Sequence, residues 1–439
     1  MNVRAGMLLA LALALALAGG AADSGAAALE VLNHLETGPD QQAALVLQAA
    51  LRARGHEWID FAVANGAEGL AAALLDSRVR LRNPPAVAQV KGPVIAAMAR
   101  RGLLLPLDEL ARAERWDEAL PRGVADAMKH QGRYVGVPLN IHRINWLWVN
   151  QRILKQAGAR VPASWDEFFA TAEAMQRAGF TALAYGGHSW EEQLLFESVA
   201  LGVGGPAFYR QALVAHDPAY LTGATMAQVL RTFRRIRSYT SAGQAAAPQR
   251  EAAELMAGGA AGMLLMGDWA NPQLYPAARR SGDSFACVPS PGSAGSFSYV
   301  VDSFAMFKGP ADQRRGQLDL AALVMSPAVQ QGFNLRKGSI PARAGVALDG
   351  YGPCARQAAG AFQGAARDGT LVPALAMALA PELEQAFRDV LSEFWNDERI
   401  TPEMAMRRLV AATRKLAASA PRPAAAPATV PAAVPAAVR

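Results

Sequence analysis

The feature that most narrows the possible folds is a regular alternation of short apolar strands with helical stretches. Residues 29–32 read as a strand, and Gly38-Pro39-Asp40 leads into an Ala/Leu-rich helical run over 41–55 that stops at Gly55. Residues 58–63 alternate as a second strand, 70–79 are helical, and Asn83-Pro84-Pro85 ends that helix because residues before proline leave the helical region. A third strand follows at 86–90. Such a strand–helix rhythm predicts an α/β fold with a largely parallel sheet. It continues with strands expected at 144–149, 183–187, 261–266 and 298–307, and with helices at 164–178, 191–201 and 325–334. Ser164, three residues before Glu167, predicts a capping box, and Ser326 followed by Pro327 predicts a helix start.

The chain begins with one Arg, a run of about a dozen apolar residues over 7–18, and then Gly19-Gly20-Ala21-Ala22. This is the anatomy of a secretory signal segment, assigned to residues 1–28, with cleavage expected between Ala21 and Ala28. The run falls short of the roughly 20 apolar residues needed to span a bilayer. An exported, periplasmic protein is therefore expected. The chain is 439 residues long and 52% hydrophobic, enough for two domains with a large core. Residues 417–439 are Ala/Pro/Val-rich and read as a disordered tail. Cys287 and Cys354 are the only two cysteines, and in an oxidising compartment they are expected to form one disulfide.

Signatures of catalysis are missing. Gly332 to Gly338 lacks the spacing of a phosphate loop, Gly187-His188-Ser189 lacks the second glycine of a nucleophile elbow, and no His-Glu-x-x-His occurs. The six histidines are dispersed, the two cysteines lack metal-ligand spacing, and neither a metal nor a cofactor is expected. The net charge is +6, but Lys and Arg are scattered; Arg231, Arg234, Arg235 and Arg237 read as a solvated helix face, not as a nucleic-acid surface.

Six stretches carry a resemblance. They are Asn83-Pro-Pro-Ala-Val-Ala-Gln89, Gly136-Val-Pro-Leu-Asn-Ile-His142 with Asn145-Trp146, Trp165-Asp-Glu-Phe168, Met266-Gly-Asp-Trp-Ala270, Asp302-Ser-Phe-Ala-Met-Phe307 and Lys337-Gly-Ser-Ile-Pro-Ala-Arg343. In this order and spacing they resemble the extracellular solute-binding proteins of bacterial ABC sugar importers, most closely the glucose/mannose-binding type. The resemblance spans about 29–409. It implies a two-lobed type II periplasmic-binding-protein fold, α/β in class, with hinge strands and a ligand cleft between the lobes. One lobe is expected from 29–139 with 300–344, the other from 140–298 with 346–416. The subgroup also carries a disulfide matching Cys287–Cys354.

A sugar site needs apolar surface for C–H faces and charged or amide groups for hydroxyls. The resemblance places Trp269 as the stacking surface. Asp302 interrupts an otherwise apolar strand, which is costly unless it faces a polar site. Lys337 precedes Gly338 after a helix, while Gln89 and Lys91 alternate onto one side of the chain, as do Asn140 and His142. Trp190, just beyond Gly186-Gly187, is a candidate second aromatic wall, and Arg143 is a further candidate.

The departures from the subgroup are specific. It carries adjacent tryptophans and then Glu after the first strand, where this chain reads Asn33-His34-Leu35-Glu36-Thr37-Gly38-Pro39-Asp40. Asp40 stands where the acid is expected, and His34 or Glu36 supplies a polar contact. Farther on, Met377 replaces a cleft His. These changes point to a different sugar, weak binding or a sensing role. The expected function is the carbohydrate-binding component of an importer: a monomer, not an enzyme, that delivers its ligand to a membrane permease. The alternative is a ligand-sensing partner of a membrane sensor kinase.

Overall fold

The computed structural model describes residues 26–36, 38–63, 68–240, 249–275 and 284–419. The expected signal segment up to residue 25 and the tail from residue 420 lie outside them. Among the described residues, fourteen strands make four sheets: a separate two-stranded hairpin, Lys129–His130 with Arg133–Tyr134, and three larger sheets that hold the other twelve. In chain order they are β1 (Ala28–Asn33), β2 (Glu57–Ala62), β3 (Val87–Val90), β4 (Val137–Pro138), β5 (His142–Arg143) and β6 (Trp146–Asn150). They continue as β7 (Thr181–Leu183), β8 (Ala261–Leu265), β9 (Phe285–Pro289), β10 (Phe297–Val300), β11 (Ser303–Met306) and β12 (Leu371–Pro373).

The first lobe is built on a sheet of order β2-β1-β3-β11-β4, and the second on a sheet of order β9-β6-β8-β7. A third, small sheet has the order β12-β10-β5. β3 is buried along its whole length, as a strand covered on both faces must be. Helix Gly38–Ala53 turns Ala43, Ala44, Leu47 and Leu51 onto one buried stripe and packs against helix Pro327–Lys337. In the second lobe, helix Trp165–Arg177 begins with the Ser164–Glu167 capping box and buries Trp165, Phe168, Phe169, Ala172 and Met175. Phe233 and Trp395, with ring centroids 4.7 Å apart, anchor that lobe's core.

Three differences from the sequence reading have physical causes. The sheets are mixed instead of largely parallel: β11 runs antiparallel to both β3 and β4, because it enters the first lobe from the opposite side. The single strand expected over 298–307 is two strands in different sheets, broken at Val301–Asp302 where the chain changes sheets. The basic face near residue 234 is partly stacked: the Arg234 and Arg235 guanidinium groups lie 3.8 and 3.9 Å from the Phe394 and Phe169 ring centroids. At the far end, helix Pro402–Ser419 continues beyond residue 416.

Cys287 on β9 and Cys354 on helix Pro353–Arg367 form a disulfide with Cα atoms 5.9 Å apart. It ties the edge of the second sheet to a helix whose Phe362 packs edge-on against Phe297 of β10, at 5.3 Å. The link closes a loop 67 residues long, for which loop entropy gives a stabilisation of about 4 kcal/mol. Replacing both cysteines with serine is expected to lower the unfolding free energy by about 2–4 kcal/mol in denaturant titrations. An unchanged midpoint and slope would show that the link does not constrain the unfolded chain.

Candidate functional site

The junction between the lobes is made where three chain segments run side by side. Leu139 N–H donates to the Asp302 carbonyl at 2.8 Å, and Ile141 and Ile340 exchange backbone hydrogen bonds of 2.9 and 3.1 Å. Buried amides satisfy what remains. Gln330 Nε2 donates to the Pro138 carbonyl (3.1 Å) and its Oε1 accepts from Ala342 N–H (2.8 Å). Asn334 Nδ2 donates to the Leu139 carbonyl at 3.0 Å, and Ser339 Oγ donates back to Asn334 Oδ1 at 2.6 Å. Buried backbone groups need such partners, so these side chains fix the path of each crossing.

The polar candidates Asn140, His142 and Asp302 meet on these crossings. Asn140 Nδ2 donates to Asp302 Oδ2 (3.1 Å), and Asp302 N–H donates to Asn140 Oδ1 (3.0 Å). His142 Nε2 lies 3.2 Å from Asp302 Oδ2, and its Nδ1 pairs with Asp268 Oδ1. The other Asp268 oxygen accepts Arg143 N–H at 2.9 Å. All five residues are buried. Both ring nitrogens of His142 are thus engaged inside the protein. Arg143 points elsewhere: its guanidinium lies over the Trp146 ring (4.2 Å), with Nε and Nη2 bonded to Asn145 Oδ1 and the Ser296 carbonyl.

Trp269 follows Asp268 on a short turn, Asp268–Ala270, and its ring meets His142 edge-on at 5.4 Å. The indole rests on Gly267, where a Cβ would fall 2.2 Å from a ring carbon, so only glycine fits there. Trp269 is half-buried and packs beside Ile144, Val300, Ala374, Leu194 and Met377. Met377 Sδ accepts Val301 N–H at 3.5 Å, which puts an apolar thioether at the chain crossing. Trp190 opens helix Ser189–Tyr209, half-buried, with its ring stacked 6.2 Å from His188. Among the described residues it makes no hydrogen bond to the crossing cluster.

First-lobe candidates come together in two pairs. Lys337 Nζ donates to Asp40 Oδ1 at 2.9 Å. Lys337 ends helix Pro327–Lys337 and Asp40 sits in the first turn of helix Gly38–Ala53, so each charge also suits its own helix dipole. Gly338 caps the first helix at φ +85°, with its Cα against the Asp268 carbonyl side of the Trp269 turn; a Cβ would lie 2.9 Å from that oxygen. The second pair is His34 and Gln89: His34 N–H donates to Gln89 Oε1 (3.3 Å), and Gln89 Nε2 lies 2.9 Å from His34 Nε2. Lys91 is the half-buried N-cap residue of helix Gly92–Arg100.

The charges in the cluster are set by one another. Burial disfavours an imidazolium, but Asp268 and Asp302 outweigh that penalty and push His142 up to about 9. Burial likewise opposes ionisation of Asp302, yet its hydrogen bond and charge interaction with His142, helped by Lys337 and His34, hold it well below the usual carboxylate range. Lys337 is raised, desolvation being overcome by Asp40 and Asp302. The result is a buried set of charges, each answered by a partner inside the protein. Asp268 is the member that the sequence reading missed. The signal was present: an acid three residues beyond the apolar strand β8, beside Trp269, is costly to bury without a partner, the same reasoning that singles out Asp302.

A two-lobed α/β body with polar groups gathered at its chain crossings is the architecture of a protein that holds a small molecule between its halves. The chain belongs to the bacterial extracellular solute-binding protein family, whose model matches residues 59–357. A protein of Rhizobium meliloti (strain 1021) described as "Probable sugar-binding periplasmic protein" is 34% identical over 386 residues, covering 88% of this chain and 93% of that protein. One of the same description from Brucella suis biovar 1 (strain 1330) is 33% identical over 386 residues, covering 88% of this chain and 91% of that protein. Among solved structures, the bacterial solute receptor AcbH aligns with a TM-score of 0.76 at 17% identity, covering 89% of this chain and all of that one (100%). A chitin oligosaccharide binding protein aligns with a TM-score of 0.76 at 15% identity, over 90% and 99% of the two chains.

The Lys337–Asp40 pair is asymmetric: the Lys337 side chain is 6% exposed and that of Asp40 32%. Asp40→Asn strands a desolvated ammonium and is expected to destabilise the ligand-free protein by about 2–4 kcal/mol, whereas Lys337→Met leaves a solvated carboxylate and should cost about 1 kcal/mol or less. Denaturant titration of both variants checks the order; equal costs would mean that the pair is screened like a surface one.

Proposed function

We propose that this chain is the periplasmic carbohydrate-binding component of an ABC importer, which captures a monosaccharide or a related sugar between its lobes and presents it to a membrane permease. The observation that carries this reading is the gathering of Asp302, Asn140 and Lys337 about His142, whose ring also meets the half-buried indole of Trp269. Charged groups there offer strong hydrogen bonds, and the indole offers a face for sugar C–H groups. The full-length relatives named as sugar-binding periplasmic proteins support the same substrate class and compartment. Closure about the crossings would bury these contacts, and a ligand can favour the closed form only by its differential affinity for it. Within the glucose/mannose-type reading, the stretch Asn33-His34-Leu35 stands where an aromatic pair is expected and Met377 where a His is expected, which favours a sugar other than glucose. The role is capture without chemical change, carried out by a monomer.

A thermal-shift panel of mono- and disaccharides, sugar acids and polyols tests the proposal. A true ligand at 100 times its Kd should stabilise by about 2.7 kcal/mol. Trp269→Ala and Asp302→Asn should each weaken the best hit by about tenfold or more, about 1.4 kcal/mol, while the ligand-free proteins stay folded. A panel with no hit, or unchanged affinity in both variants, would remove the assignment.

A further inference from the structure

The sequence resemblance casts His142 as a group that touches ligand, but its surroundings describe another role. The ring lies between two carboxylates brought from distant parts of the chain: Asp268, on the turn that carries Trp269, and Asp302, at the break between β10 and β11. With Nδ1–H on Asp268, a neutral ring leaves Nε2 as an acceptor for Asn140 Nδ2, 3.0 Å away, and sets its lone pair against Asp302 Oδ2 at 3.2 Å; only the cation makes both carboxylate contacts attractive. Neither acid is free to turn away. Asp268 is also held by Arg143 N–H at 2.9 Å, and Asp302 by Asn140 at 3.1 Å.

We propose that His142 is a positioning residue, a proton-dependent latch that as an imidazolium ties the Trp269 turn to the Asp302 strand break, and that its deprotonation releases the turn. Trp269 meets the same ring at 5.4 Å, so the stacking surface and the charged wall are oriented through one side chain. The groups facing the ring and its partners are Asp268 and Asp302 directly, with Lys337 and His34 acting on Asp302, and Asp40 on Lys337. Arg143 contributes to the latch through its backbone N–H and through its charge, which interacts with Asp268 although the guanidinium faces Trp146 and Phe297 at 4.2 and 5.1 Å.

The sign of the pH dependence follows. His142 is pushed up to about 9 in the folded protein. Its contribution is therefore complete below its ordinary value of about 6.5 and is lost as pH rises through 9. Glu191 and Glu197, whose buried carboxyls are pushed up to about 7, change charge earlier and lie on the second-lobe helix Ser189–Tyr209. The alkaline window thus separates the latch from them. Weaker ligand binding at high pH would be the functional consequence, and that consequence rests on the carbohydrate-binding reading; the test below uses ligand-free protein and does not.

Hydrogen–deuterium exchange of the ligand-free chain is measured from about pH 8 to about pH 10, above the glutamate titrations and across that of His142, corrected for intrinsic exchange rates. Peptides covering 266–272 and 139–145 should lose about tenfold protection across that range, while helix Trp165–Arg177 keeps its own. His142→Gln, which cannot reach both carboxylates, should expose 266–272 at both ends of the range without a pH step. Constant protection of these peptides in the wild-type protein would overturn the proposal, and this arm decides even if the variant fails to fold. A pH step that survives in His142→Gln, or a loss spread equally over Trp165–Arg177, would overturn it as well.

Discussion

Backbone pairing among three chain crossings is the constraint on which the two halves of this protein depend. Leu139 pairs with Asp302 and Ile141 with Ile340, and the amides of Gln330 and Asn334 take up the carbonyls left over at Pro138 and Leu139. The break at Val301–Asp302 lets β10 belong to the small three-stranded sheet while β11 inserts into the five-stranded sheet of the first lobe. A junction of this kind fixes which residues face one another. It also leaves a small number of torsions through which lobes can close.

Charge placement at that junction is governed by the cost of burial. An isolated buried ion is expensive, so each here is answered: His142 by Asp268 and Asp302, Lys337 by Asp40, and the Arg143 cation by aromatic faces and a carbonyl. Such a set is organised before any ligand arrives, and it pays its desolvation through internal partners. Beside it, Trp269, Met377 and Leu194 pack against the buried apolar cluster of Ile144, Val300 and Ala374. The proposed carbohydrate reading calls for this combination of charged groups and an apolar face.

Local signals made much of the fold legible. β1, helix Gly38–Ala53, β2 and β3 follow directly from apolar spacing with Gly55 and Pro84-Pro85 as punctuation, and both helix caps, Ser164 and Ser326, bond as their spacing implies. Lobe-crossing geometry was not legible. Residues 298–307 have the composition of one strand, and nothing local marks Val301–Asp302 as the change of sheet except the lone acid itself. The candidate site divides in the same way. Residue type singled out Asp302 and Lys337, and the motif singled out Trp269. The partners that define what each can do, above all Asp268 for His142, come from positions more than a hundred residues away, such as the separation of 126 between those two. His142 illustrates the limit: alternation with Asn140 puts both on one side, but only the fold reveals that both its nitrogens are already taken.

The most direct measurement is a crystal structure with the carbohydrate that gives the largest thermal shift. The account predicts that sugar between the lobes, its ring against the indole of Trp269 and a hydroxyl on the Asp302 carboxylate, with His142 still held by its two acids. A sugar bound elsewhere, leaving Trp269 and Asp302 untouched, would contradict it.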